Sequence, residues 1–207
     1  MKRRSVLGFI GLSPLVSWLP ELTANRKITE TLRNRWEKGK EYTLAVFDAM
    51  PEDFLEFSPT KEEMSFAQHF IHLGFWNNLY LGMITDQADY DPQKPLFDAK
   101  YLIARPDNIN LFGPQPLQQI DGRNNKSLIR DYLNQTFDFV IQALSKIDDN
   151  KLSKGREDPK PDAFKGHTNL DMILRGEAHT AHHRAQAIVY LRLKGVTPPS
   201  YAQYNIL

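Results

Sequence analysis

Residues 168–194 read TNLDMILRGEAHTAHHRAQAIVYLRLK, and their periodicity decides the fold. On a wheel of about 100° per residue, Asp171, Arg175, Glu177, Arg184 and Arg192 share one broad arc. The opposite arc holds Met172, Ile173, Gly176, His179, Thr180, His183, Ala187, Tyr190 and Leu191, with no charge among them. That separation predicts an amphipathic helix packed on a core. Thr168 with Asp171 three residues on predicts an N-cap. Arg192 and Lys194 in the last turn, then Gly195 and Pro198-Pro199, predict the close.

Three more helices are expected upstream. The first runs from about Arg26 to Met50, with Ile28, Leu32, Trp36, Thr43, Phe47 and Met50 at three- to four-residue spacing and Pro51 as its stop. The second covers about Glu62 to Ile84. The third covers about Lys126 to Ile147, with Ile129, Tyr132, Leu133, Thr136, Val140, Ala143, Leu144 and Ile147 as its inner stripe. Four such helices make an all-α four-helix bundle. Residues Thr85 to Asn125 carry prolines at 92, 95, 106, 114 and 116 and no sustained period. A loop that long suits a crossover joining parallel helices 2 and 3. Its Tyr90, Phe97, Tyr101 and Phe112 are expected to cover one end of the bundle. The second long connection, Asp148 to His167, is charged and reads as a surface loop.

Composition narrows the chemistry. The chain has 207 residues, is 41% hydrophobic and carries a net charge of +1. One domain with one core is expected, and no strong field favours nucleic acid as a partner. With no cysteine, disulfides, thiolate nucleophiles and Cys-ligated metals are excluded. A phosphate-binding loop, a nucleophile elbow and a dinucleotide fingerprint are also missing from the sequence. Any metal must be held by His, Asp or Glu.

The chain has six histidines. His179 and His183 lie four apart on the uncharged arc, so one helix face can aim two imidazoles at one point. The alternative is a pair of histidines hydrogen-bonded inside the core, and spacing alone does not choose. On the second helix Ser65, His69, His72, Trp76, Leu79 and Met83 share a face. Either His69 or His72 is placed to complete a site. His182 falls among the charged positions, and His167 lies in a loop before the N-cap. Glu62, Glu63 and Glu177 are general-base candidates by type only, and Tyr190 lies on the histidine arc.

The first 24 residues read differently. Lys2, Arg3 and Arg4 precede an apolar run from Val6 to Leu19, too short to span a bilayer, and Leu22-Thr23-Ala24 suits a cleavage site. The paired arginines resemble a twin-arginine export signal. The expected division is a signal over 1–24, a mature bundle over 25–207 and a periplasmic destination, the alternatives being an N-terminal helix on the core and a cytoplasmic protein. No stable membrane span is expected in the mature chain. A homodimer is compatible with the sequence.

The segment from His179 through Gly195 to Pro198-Pro199, with His179-x-x-x-His183-Arg-Ala-Gln at its head, resembles the last helix of DinB-like (DinB/YfiT) proteins. Met64 through His72-Leu73 resembles the family's second helix, and Met50-Pro51 through Ser58-Pro59 its connector. Ala185 stands where the family usually has Gly. The resemblance covers roughly Arg26 to Tyr201 and implies a bundle of up-down-down-up topology. It also implies a ligand set of His72, His179 and His183 for one divalent ion, with zinc, nickel and iron all suited to imidazole. Two activities are implied: metal-dependent hydrolysis, and transfer of a small thiol to an electrophile. An exported location favours hydrolysis, and the substrate is not legible.

Overall fold

The computed structural model describes residues 27–85, 99–106, 110–114, 122–155 and 164–204. Among the described residues the chain is all-helical, with α1 (Ile28–Ala49), α2 (Phe66–Thr85), α3 (Gly122–Lys146), a short α4 (Asp149–Leu152) and α5 (Asn169–Leu193). Residues 1–24, expected to be an export signal, and Tyr90 and Phe97 lie outside the described residues. No helix among the described residues is long and apolar enough to cross a membrane.

The helix ends follow local chemistry. α1 stops where Met50 turns to extended backbone (φ −74°, ψ 127°), as the residue before a proline must. α2 starts later than Glu62, because Ser65 and Gln68 form a capping box. The Ser65 N–H donates to Gln68 Oε1 (2.8 Å) and the Gln68 N–H to Ser65 Oγ (3.2 Å). α5 opens on the expected N-cap. The Thr168 N–H donates to the Asp171 carboxylate at 2.8 Å and the Asp171 N–H to Thr168 Oγ1 at 3.1 Å. It closes at Gly195, whose φ of +72° is costly for any residue with a Cβ.

α2 is the central element, buried along nearly its whole length, as expected of a helix apolar on every side. It packs between α3 and α5, and α1 packs on the same two helices. Lys40–Asp138 and Asp48–Arg130 ion pairs run α1 against α3. Arg35–Glu177 and Thr43–Arg184 contacts set α1 and α5 in the same direction. His69–Tyr190 and His72–His179 contacts run α2 against α5. Ile129, Tyr132, Leu133, Thr136, Val140, Ala143, Leu144 and Ile147 of the α3 stripe are all buried. Trp36, Phe47, Phe66 and Phe70 are among the largest fully buried side chains of the core.

Two expectations need correction. Arg184 is not on a solvated face: it is only 7% exposed. Its guanidinium donates to Thr43 Oγ1 at 3.0 Å and lies 4.7 Å from the Tyr42 ring centroid, so a cation–π contact and a hydrogen bond offset its burial. The second long connection is not wholly a surface loop either. Leu152 of α4 and Phe164 are buried, and Asp149 caps α1 by accepting from the backbone N–H groups of Ile28 and Thr29, both at 3.0 Å.

Candidate metal centre

Antiparallel packing of α2 on α5 brings four of the six histidines together. His72 and His69 stand one turn apart on α2, and His179 and His183 one turn apart on α5. Nε2 of His179 lies 3.1 Å from Nε2 of His72 and 3.1 Å from Nε2 of His183. One ligand atom from each of these three residues falls within 4.8 Å of the other two. His69 stands behind them, with its Nδ1 2.9 Å from His183 Nδ1 and its Nε2 3.2 Å from the Tyr190 hydroxyl.

The donor set fits a divalent ion. Nitrogens bound tetrahedrally at about 2.0–2.1 Å stand about 3.3 Å apart, close to the spacing seen. Hydrogen bonding explains the cluster poorly. A neutral imidazole nitrogen carries either one proton or one lone pair, so three convergent Nε2 atoms can share little more than one proton. The Nδ1 atom of His179 is buried and has no hydrogen-bond partner among the described residues, so the cluster is not a closed hydrogen-bonded ring.

Burial keeps the imidazoles neutral. It lowers His69 and His72 from 6.5 to about 4, His179 to about 3 and His183 to about 2, and the neighbouring imidazoles push the same way. For His72 the backbone of Leu111 acts in the opposite direction. Neutral imidazole is the ligating form.

An aromatic rim borders the cluster. The Trp76 ring centroid lies 6.1 Å from that of His72 and 6.3 Å from that of His179. Tyr80 meets His179 edge-on at 6.1 Å. Phe112, from the long proline-rich connection, packs against Trp76 at 5.8 Å and is 69% exposed. Residues 110–114 therefore do border the site. Tyr101 does not: it is buried against Gly82, more than two turns further along α2.

His182 and His167 are exposed. Glu177 is held by Arg35, whose Nε donates to its Oε1 at 2.9 Å, so it is engaged away from the histidines. Glu62 is exposed. Glu63 accepts from the Tyr190 hydroxyl at 3.1 Å. Sequence reasoning left the role of His69 open. The signal was the shared helix faces, His69 with His72 and, seven residues apart, His183 with Tyr190.

An all-helical bundle with three convergent, neutral histidines in its interior defines a protein that could hold one metal ion between α2 and α5. Residues 35–187 match the DinB superfamily, and the chain belongs to that family. Comparison with curated proteins gives no match.

Proposed function

We propose that His72, His179 and His183 hold one divalent ion, zinc, nickel or iron, and that the chain is a metal-dependent hydrolase of a small ester or amide. The observation that carries this reading is the convergence of three Nε2 atoms, with His179 Nε2 3.1 Å from each of the other two. A three-ligand site leaves room for water or substrate. When bound, the ion would supply a Lewis acid that polarises a carbonyl oxygen and acidifies water near neutral pH.

The chain's own residues shape the rest. Trp76, Tyr80 and Phe112 present aromatic surface beside His72 and His179, a wall suited to the apolar part of a small substrate. His72 and His183 are buried and His179 is half-buried, which limits the access of bulk water to the cluster. No cysteine can act as a nucleophile and Glu177 is held by Arg35; in this reading water is the attacking group. The sequence of residues 1–24 supports export to the periplasm, where hydrolysis is favoured over transfer from a cytoplasmic thiol.

Zinc-, nickel- and iron-loaded protein should be screened against small esters and amides with and without an added thiol. The expected result is hydrolysis that needs metal, needs no thiol, and rises with pH through a pKa near ~7. Turnover seen only with thiol present would replace hydrolysis by thiol transfer. Silence with metal bound would leave a non-catalytic binding protein. Phe112→Ala should alter substrate preference while leaving metal content intact.

A further inference from the structure

The buried chain behind His183 fixes which of its ring nitrogens faces the site. It begins at α2's N-terminal end, where the Tyr190 hydroxyl lies 3.1 Å from Glu63 Oε2 and 3.1 Å from the Met64 carbonyl oxygen. A carboxylate and a carbonyl only accept. The single hydroxyl proton of Tyr190 is therefore spent on them, and its oxygen can only accept from His69 Nε2, 3.2 Å away. His69 must then carry its proton on Nε2 and a lone pair on Nδ1. That lone pair faces His183 Nδ1 at 2.9 Å, so His183 must donate from Nδ1. The lone pair of His183 is left on Nε2, the atom that converges with His179 Nε2 at 3.1 Å.

We propose that His69 is a positioning residue for the metal site, and that the chain Glu63/Met64–Tyr190–His69 holds His183 in the one tautomer able to ligate through Nε2. This role rests on the three-histidine reading above. His69 touches no metal in this arrangement. Each member has one proton and one acceptor, and the groups at the outer end, the Glu63 carboxylate and the Met64 carbonyl, cannot donate, which sets the direction of the chain. His69 is 3% exposed and Tyr190 5%, so water does not compete for either link. Ligating histidines generally need such a partner, and its loss costs about 10–100-fold in metal affinity.

The test uses zinc as the probe and the full chain, titrated against a chromophoric chelator, with wild type, His69→Leu, His69→Asn and Tyr190→Phe compared. His69→Leu should weaken zinc binding by about 10–100-fold. His69→Asn should recover most of that loss, because Asn Oδ1 stands where Nδ1 stood and can accept the His183 proton. Tyr190→Phe should also weaken binding, since it frees His69 to change tautomer. Long-range ¹H–¹⁵N correlation on metal-free protein gives a second reading. Wild-type His183 should appear protonated at Nδ1, and both His69→Leu and Tyr190→Phe should shift it towards a mixture. If His69→Leu does not fold, Tyr190→Phe, which keeps the ring, decides by the same two readings. Zinc bound equally by wild type and these variants would overturn the role of His69 alone, as would wild-type His183 protonated at Nε2. A wild type that binds no zinc would overturn the metal reading and this role with it.

Discussion

His183 is the residue on which the site turns, since it touches His179, His69 and, through His69, Tyr190. Its imidazole and those of His69, His72 and His179 have pKa values lowered from 6.5 to between about 2 and about 4 by burial. The unfolded chain therefore binds more protons than the folded one below 6.5, and stability falls with falling pH. Metal-free protein should hold its melting temperature above pH 6.5 and lose it progressively from there towards pH 4. Substituting Leu for both His179 and His183 should flatten that window. Asp149 and Asp171 also have lowered pKa values, through hydrogen bonds to Thr29 and Thr168, but their contribution is lost only below the carboxylate range. A wild-type melting temperature flat from pH 7 to 4 would contradict neutral burial of the four rings. The pairing of His179 with His183 was legible from spacing. Spacing did not choose between His69 and His72, because both share one face of α2; the resemblance to DinB-like proteins implied His72, the ring that the seating of α5 brings to His179.

At the scale of elements, the caps are the most testable feature. Thr168→Ala removes the Oγ1 acceptor of the Asp171 N–H and should cost about 1 kcal/mol, read by denaturant unfolding. Asp149→Ala should leave the bundle folded but speed hydrogen exchange at the N–H groups of Ile28 and Thr29, which it accepts from; unchanged exchange there would refute the cap. The four long helices were legible, because their apolar positions recur over several turns, whereas the single turn of α4 (Asp149–Leu152), inside a connection read as a surface loop, was not. The capping boxes differ in an instructive way. Thr168–Asp171 precedes a clear amphipathic pattern and is easily read. Ser65–Gln68 lies ahead of a helix apolar on all faces, where no change of pattern marks the start. The cap supplied by Asp149 joins residues about 120 apart in the chain, and no local rule finds such a partner. Arg184 misled for a related reason: the wheel placed it among charges, but Tyr42 and Thr43 of α1 cover that part of α5.

At the scale of the whole molecule, the central feature is a bundle of the DinB superfamily whose α2–α5 seam carries the histidines and whose proline-rich connection brings Phe112 to their rim. The class of fold followed from four periodic segments. The seam did not, since nothing in one helix says which neighbour it will face. Export belongs to this scale as well. Changing Arg3 and Arg4 to Lys should impair translocation if the twin-arginine route is used, and native protein beginning at Met1 in the cytoplasm would refute the export proposal. The claim from which the rest follows is that His72, His179 and His183 hold a metal. Elemental analysis of protein purified without a histidine tag addresses it most directly, with wild type compared against single Ala substitutions. Wild type and His182→Ala should each carry about one divalent ion per chain, and His72→Ala, His179→Ala and His183→Ala should each lose most of it. A metal-free wild type, or His183→Ala that keeps its ion while His182→Ala loses it, would contradict the account.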